Sequence, residues 1–308
     1  MVKNMSSLCN VPGIQVGHAH NESARTGCTV ILPTQEVIAG VDVRGSAPGT
    51  REVDLLQPVR LVQRIHAILL TGGSAFGLGA ANGVQSFLEE RGIGFDTGVA
   101  KVPIVPTAVI FDLAVGDPGT RPDADMGYQA CMAATFTESR EGLVGVGCGA
   151  TVGKAGGQQY ASWGGIGTCS HKLANGVVVG VLTVVNAFGE VIDDATGEIL
   201  AGAINPDGSG FIDSLSIMKQ SGQSSFSGTN TTLSVIATNA ALSRETATKL
   251  AQMAQDGLAR VIRPSHTMYD GDIVFALSTG NIASDINLVG AVACDLVAES
   301  IKRAVRHS

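Results

Sequence analysis

Two rhythms of apolar residues alternate along this chain, one of period two and one of three to four. Residues 14–33 alternate over short runs separated by polar turns, as paired strands do. Residues 53–65 carry helical spacing and predict a helix, and 66–70 then form a short apolar strand that runs into Thr71, Gly72, Gly73 and Ser74. Residues 75–91 predict a helix with an Ala, Leu, Val and Phe face, stopped at Gly92. A strand is expected at 109–113, between irregular proline-marked connections at 103–106 and 118–122. A helix is expected at 123–138, with Asp125 in its first turn and Met126, Ala130, Ala133 and Ala134 on its apolar face.

The pattern changes from residue 145. The run GVGCGATVGKAGG at 145–157 is almost all glycine and small residues, with Lys154 its only charge, and 174–185 form β-branched, nearly continuous apolar strands ending in Asn186. Strands of that kind are buried on both faces and need a covering layer. Residues 208–228, including GQSSFSG, have the polar composition of an exposed linker. TTLSVIAT at 231–238 predicts a strand, Ser243 caps a helix reaching Ile262 with Leu250, Ala254, Leu258 and Val261 on one stripe, and 273–278 predict another strand. The closing helix, 287–305, is expected to turn Leu288, Ala291, Leu296 and Ile301 inward, with Lys302, Arg303 and Arg306 near its negative end. Helices and strands interleave throughout, so the stretch before 231 reads as a loop inside one domain.

Composition supports a large core. Hydrophobic residues make up 44% of the 308 positions and charged residues only 15%, which excludes a disordered chain. Forty glycines, well above the usual share of roughly 7%, follow no three-residue repeat and point to tight turns and close backbone approaches. Twenty basic against 27 acidic residues give a net charge of -7, and no basic run is interleaved with aromatics, so nucleic acid is not an expected partner. No apolar stretch is long and unbroken enough to span a bilayer. The start has no secretory pattern, and six scattered cysteines without a close pair suit buried thiols in a reducing, cytoplasmic setting.

Several residues carry candidate chemistry. Thr231 follows Asn230 at the junction of a polar loop and a strand, where it serves either as an ordinary strand residue or as a hydroxyl able to attack the carbonyl before it. Cutting there would leave a free α-amine on Thr231, with a typical pKa near 7.7 to 8, suited to act as general base for its own hydroxyl. Asp270 and Asp272, two apart in YDGD, could point to one side and orient that amine and hydroxyl, or simply form a surface turn. Lys154 either faces solvent or lies over a developing oxyanion. Gly72 and Gly73 form a tight strand-to-helix turn or let the backbone approach a ligand, and their spacing matches no nucleotide fingerprint. His18 and His20 share a strand face, but without a third ligand no metal is expected.

VPGIQVGHA at 11–19, LTGGSAFGL near 69–78, GVGCGATVGK at 145–154, NTTL at 230–233 and SHTMYDGD at 265–272 together resemble the L-aminopeptidase/D-esterase family, which includes β-peptidyl aminopeptidases, a pantetheine-type amide hydrolase and nylon-oligomer hydrolases. The resemblance covers nearly the whole chain. It implies a four-layer αββα sandwich of the N-terminal-nucleophile type, self-cleaved between Asn230 and Thr231 into chains 1–230 and 231–308 that remain associated. A tetramer of such heterodimers or a larger homo-oligomer is implied as well. Asp270 and Asp272 match the threonine-nucleophile branch; the serine branch carries a hydroxyl and a glutamate there. Lys154 and Asn186 match positions beside the nucleophile, where Lys154 would stabilise negative charge and the Asn186 amide would donate to the oxyanion, a contact worth about 2.7 to 4 kcal/mol in the transition state. Thr232 or its backbone amide is a further oxyanion candidate beside Asn186, and Tyr128 either lines the substrate pocket with its hydroxyl or packs one helix edge.

The expected activity is therefore an amide hydrolase or aminopeptidase using an acyl-enzyme on Thr231, without cofactor, acting on small-molecule or short-peptide amides. The rivals are an acyltransferase using the same nucleophile and a non-catalytic α/β binding protein.

Overall fold

The computed structural model describes residues 6–221 and 230–306; the GQSSFSG run lies outside them. Two mixed sheets form the centre. One orders its strands Ile14–Asn21, Thr26–Pro33, Ile68–Thr71, Thr107–Val109 and Thr50–Arg51. The other runs Gly165–Lys172, Val178–Asn186, Thr231–Ala240, Ile273–Ile282, Val37–Val43 and Arg64–Ile65. Thr231–Ala240 pairs antiparallel with Val178–Asn186 and parallel with Ile273–Ile282, the parallel neighbour being reached through the helix Arg244–Val261.

Three apolar interfaces make four layers. Between the sheets, Val16, Ile31 and Leu70 meet Val184, Leu233, Val235 and Phe275. On the outer face of the second sheet, Val181, Ile236 and Val274 pack under Leu250 and Leu258 of Arg244–Val261 and Ala293, Val297 and Ile301 of Ile286–Arg306. On the outer face of the first, Val30 and Leu69 lie under Val84 and Leu88 of Ala81–Glu89 and Ala130 of Ala124–Met132. Burial on both faces explains the continuous hydrophobicity of the central strands, and the arrangement is the αββα sandwich expected. Many glycines serve these interfaces: a β-carbon on Gly167 would lie 1.8 Å from the Ser300 carbonyl oxygen, and one on Gly83 1.7 Å from that of Ala124.

Some expectations need correction. Residues 53–65 form a short 3-10 turn, Val53–Leu56, and a two-residue strand, because the Arg244 guanidinium draws the carbonyls of Leu55, Arg60 and Val62 toward itself. The 75–91 helix begins as a 3-10 segment, Ser74–Ala80, and becomes α-helical at Ala81–Glu89, while the strand near 109 is shifted to Thr107–Val109. The 123–138 helix closes at Met132, since Thr135 instead exchanges backbone hydrogen bonds with Val16; Asp123 caps it by accepting from the Met126 N–H. The 208–228 stretch includes a helix, Ser214–Ser221. In the closing helix the buried stripe is Val289, Gly290, Ala293, Val297 and Ile301, so Leu288 and Ala291 face outward. Small residues there let the helix sit close to the sheet and its neighbour. Among the described residues, no helix is long and apolar enough to cross a membrane.

Candidate active site

Sheet pairing brings the site together at one end of the second sheet. Asn186 ends its strand opposite Thr231, which begins the next, and Asp272 directly precedes the parallel strand beginning at Ile273. Thr231, Asn230, Asn186, Lys154, Asp270 and Asp272 are all at most 4% exposed. Buried polar groups at that density need partners.

The Thr231 hydroxyl donates to the carbonyl of Asn230 at 2.5 Å. That carbonyl also accepts the Gly271 N–H at 2.6 Å, and the Asn230 N–H donates to the Tyr269 carbonyl at 2.7 Å. Thus the backbone of 269–271 holds the residue before Thr231 from both sides as an isolated parallel bridge.

Among the described residues, the two aspartates direct their hydrogen bonds around Thr231 and not to it. Asp272 Oδ1 accepts the Thr232 N–H at 2.7 Å; Oδ2 accepts the His266 N–H at 3.0 Å and lies 2.9 Å from His266 Nδ1, which places the proton of that ring on Nδ1. Asp270 Oδ2 accepts the Thr267 hydroxyl at 2.5 Å and its N–H at 3.1 Å, while Oδ1 accepts from Phe188 N–H at 3.3 Å. Burial, reinforced by the negative charge of Asp272, pushes Asp270 up to about 6. Among the described residues of the uncut chain neither carboxylate hydrogen-bonds Thr231; the expected contacts are with the amine and hydroxyl that cutting would free.

Lys154 is fully inside, which settles against a solvent-facing lysine. Its Nζ donates to Asn186 Oδ1 at 2.7 Å and to the Asn186 carbonyl at 3.1 Å. Burial lowers it to about 7, against the opposing pull of Asp270 and Asp112. Asn186 Oδ1 also accepts from Thr151 N–H, and its amide nitrogen donates to the Phe111 carbonyl at 3.1 Å. The Asn186 amide therefore faces Phe111, and the N–H found on the Asn230 carbonyl, beside the Thr231 hydroxyl, is that of Gly271.

Gly72 and Gly73 serve a carboxylate of their own chain. Gly73 N–H donates to Asp112 Oδ1 and Thr26 Oγ1 to Asp112 Oδ2, both at 2.7 Å, and a β-carbon on Gly72 would sit 2.0 Å from that second oxygen. Asp112 adjoins Phe111, so the glycine turn supports Asn186 at one remove. Tyr128 donates to Glu90 at 2.7 Å and packs edge-on against Phe87 in the outer helical layer, the helix-edge alternative of its reading. Thr232 contributes its N–H to Asp272, and its hydroxyl is buried with no hydrogen-bond partner among the described residues. His18 engages Thr29 and His20 faces Glu22.

Three contributors escaped the sequence: His266, Gly271 and Asp112. His266 and Gly271 lie inside the SHTMYDGD run, whereas Asp112, beyond the end of the strand Thr107–Val109, carries no signal beyond its charge. A cleft of about 530 Å³ is lined by Ile192, Ile199, Leu215 and Ile262, with Glu190, Asp213 and Arg263 at polar positions, and its lining ends at Ser265, the residue before His266.

A buried hydroxyl is thus set against a backbone carbonyl at one end of an αββα sandwich. The chain matches the description "Peptidase family S58" over residues 6–308 and belongs to that family. It is an amide hydrolase acting on peptide substrates. An uncharacterized aminopeptidase of Mycobacterium tuberculosis is 44% identical over 335 residues, covering 99% of this chain and 94% of the relative. A 6-aminohexanoate-oligomer endohydrolase of a Kocuria species is 29% identical, covering 96% and 84%. Among solved structures, a Burkholderia β-aminopeptidase superposes with a TM-score of 0.73 at 24% identity, covering 97% and 86%. The L-aminopeptidase D-Ala-esterase/amidase of Ochrobactrum anthropi, described as a variant of the Ntn hydrolase fold, gives 0.73 at 18%, covering 98% and 86%.

Proposed function

We propose that this chain activates itself by cutting the Asn230–Thr231 bond and then hydrolyses small amides from the exposed Thr231 terminus. The observation that carries the reading is the 2.5 Å contact of the Thr231 hydroxyl with the carbonyl it would attack. After the cut, the new α-amine becomes general base for Oγ, which forms an ester with the substrate acyl group and releases the amine product; water then frees the acid. Lys154 and the aspartate pair supply the charge pattern around that amine. The unit is a single αββα domain divided into 1–230 and 231–308.

The substrates are short peptides, amino-acid amides and related ω-amino amides, in keeping with the aminopeptidase and 6-aminohexanoate-oligomer names of its relatives. Homo-oligomeric assembly, as a tetramer of heterodimers or larger, is the association that the family resemblance implies. The cysteines are unpaired, as suits a cytoplasmic protein.

Denaturing mass spectrometry with amino-terminal sequencing tests the proposal. Two fragments, the second beginning at Thr231, are expected in place of one 31.4 kDa chain. Thr231→Ala should abolish both cutting and turnover, and Thr231→Ser should keep partial cutting. Full amidase activity in Thr231→Ala would remove Thr231 as nucleophile. A panel of α-, β- and ω-amino amides then ranks the substrates.

A further inference from the structure

We propose that the backbone N–H of Gly271 is the oxyanion donor of the chain-cutting step, a role that rests on the self-processing reading above. In that step the Thr231 Oγ–carbon bond forms, the Asn230–Thr231 C–N bond breaks, and the hydroxyl proton ends on the departing Thr231 nitrogen. Water then hydrolyses the ester, leaving a carboxylate on Asn230 and restoring the hydroxyl. Negative charge develops on the Asn230 carbonyl oxygen during attack. A preorganised donor within 2.7–3.1 Å of the oxyanion position is the usual device for stabilising such charge, and Gly271 N already lies 2.6 Å from the carbonyl oxygen.

The donor is fixed from behind. Ala47 N–H donates to the Asp270 carbonyl at 2.9 Å, and the N–H groups of Arg44 and Gly45 donate to the Asp272 carbonyl at 3.0 and 3.2 Å. The turn carrying Gly271 is therefore held on its far side while its N–H faces the bond to be cut. The opposite contact, Asn230 N–H on the Tyr269 carbonyl, keeps the scissile residue from sliding along the turn. Glycine is required by space: a β-carbon at 271 would lie 2.9 Å from Thr231 Oγ1 and 2.8 Å from the Ala47 carbonyl oxygen. The Asn186 amide nitrogen, the donor suggested by family resemblance, gives one of its two N–H groups to the Phe111 carbonyl in the uncut chain, whereas the N–H on the Asn230 carbonyl is that of Gly271.

The test replaces Gly271 by glycolic acid in the full chain through cell-free suppression, exchanging the N–H for an ester oxygen while leaving every side chain in place. Conversion to two fragments is followed by denaturing mass spectrometry. Cutting should slow by about 10²- to 10³-fold, the usual effect of losing one oxyanion donor. A comparison ester at Gly45, whose N–H holds the same turn without touching the scissile carbonyl, should slow it less than about tenfold. Cutting at the unmodified rate with the 271 ester, or equal slowing by both esters, overturns the assignment. A second measurement does not depend on folding of the ester: in the uncut Thr231→Ala chain, the Gly271 amide should exchange slowly with deuterium, and exchange at the rate of an exposed amide overturns the proposal. Failure of self-processing itself would look different, since the unmodified chain would then stay whole.

Discussion

The ammonium of Lys154 lies 2.7 Å from the side-chain oxygen of Asn186, with both residues buried at the point where the strand of Asn186 meets Thr231. Burial strips that ammonium of water, and although the charges of Asp270 and Asp112 oppose the effect, its proton affinity falls to about 7.

This gives a pH signature in stability. An unfolded lysine keeps its proton to about 10.4, whereas Lys154 in the fold keeps it only to about 7. Between those values the unfolded chain binds more protons, so this group makes stability rise with pH by at most about 1.4 kcal/mol per unit. Below about 7 the penalty is fully present. Urea midpoints of uncut Thr231→Ala chains should show this rise, and adding Lys154→Met should flatten it; parallel curves with and without Lys154 would contradict the assignment.

Asp272→Asn should separate geometry from charge. The amide oxygen can still accept from Thr232 N–H, but the amide nitrogen would then face the His266 donors. A loss of about 1–3 kcal/mol in stability is expected. Cutting should slow at least about tenfold, equivalent to about 1.4 kcal/mol of barrier. Fragment appearance over time and a thermal melt measure the two effects.

Gly72→Ala should destabilise the fold from a distance. Its methyl group would press on Asp112 Oδ2 and Thr26 Oγ1, and overpacking of this kind costs about 1–3 kcal/mol. A lowered urea midpoint at unchanged slope is the expected result. An unaffected midpoint would mean that the turn yields freely.

Arg244→Met should loosen residues 53–63, since three backbone carbonyls lose a shared donor. The cost is about 1–3 kcal/mol. Limited proteolysis should find its first new cuts between Val53 and Gln63, and an unchanged digestion pattern would refute the role.

Much of this architecture was legible in sequence because its central strands are buried on both faces and its longest helices carry clear stripes, as Ser243 and the Leu250–Leu258 face illustrate. The 53–65 segment departs from its helical spacing because a single distant arginine, Arg244, competes for its carbonyls, a contact that no local pattern reveals. In the closing helix, bulk suggested Leu288 as inward, yet close packing selected Gly290 and Ala293. The site divides the same way. Side chains with chemistry, Thr231, Lys154, Asn186, Asp270 and Asp272, announced themselves by type and motif. Gly271 did not, because its contribution is a backbone N–H, and Asp112 acts through the carbonyl of its neighbour.

The strand Thr231–Ala240 has a hydrogen-bonded partner on each side, both contributed to one sheet by distant parts of the chain. Breaking the bond before it would turn the unfolding of one chain into the dissociation of two. Refolding would then require an encounter between fragments and would depend on protein concentration, while the intact precursor could fold at any dilution. The cut enzyme would persist because unfolding is slow, and its working lifetime would be set by a rate more than by an equilibrium.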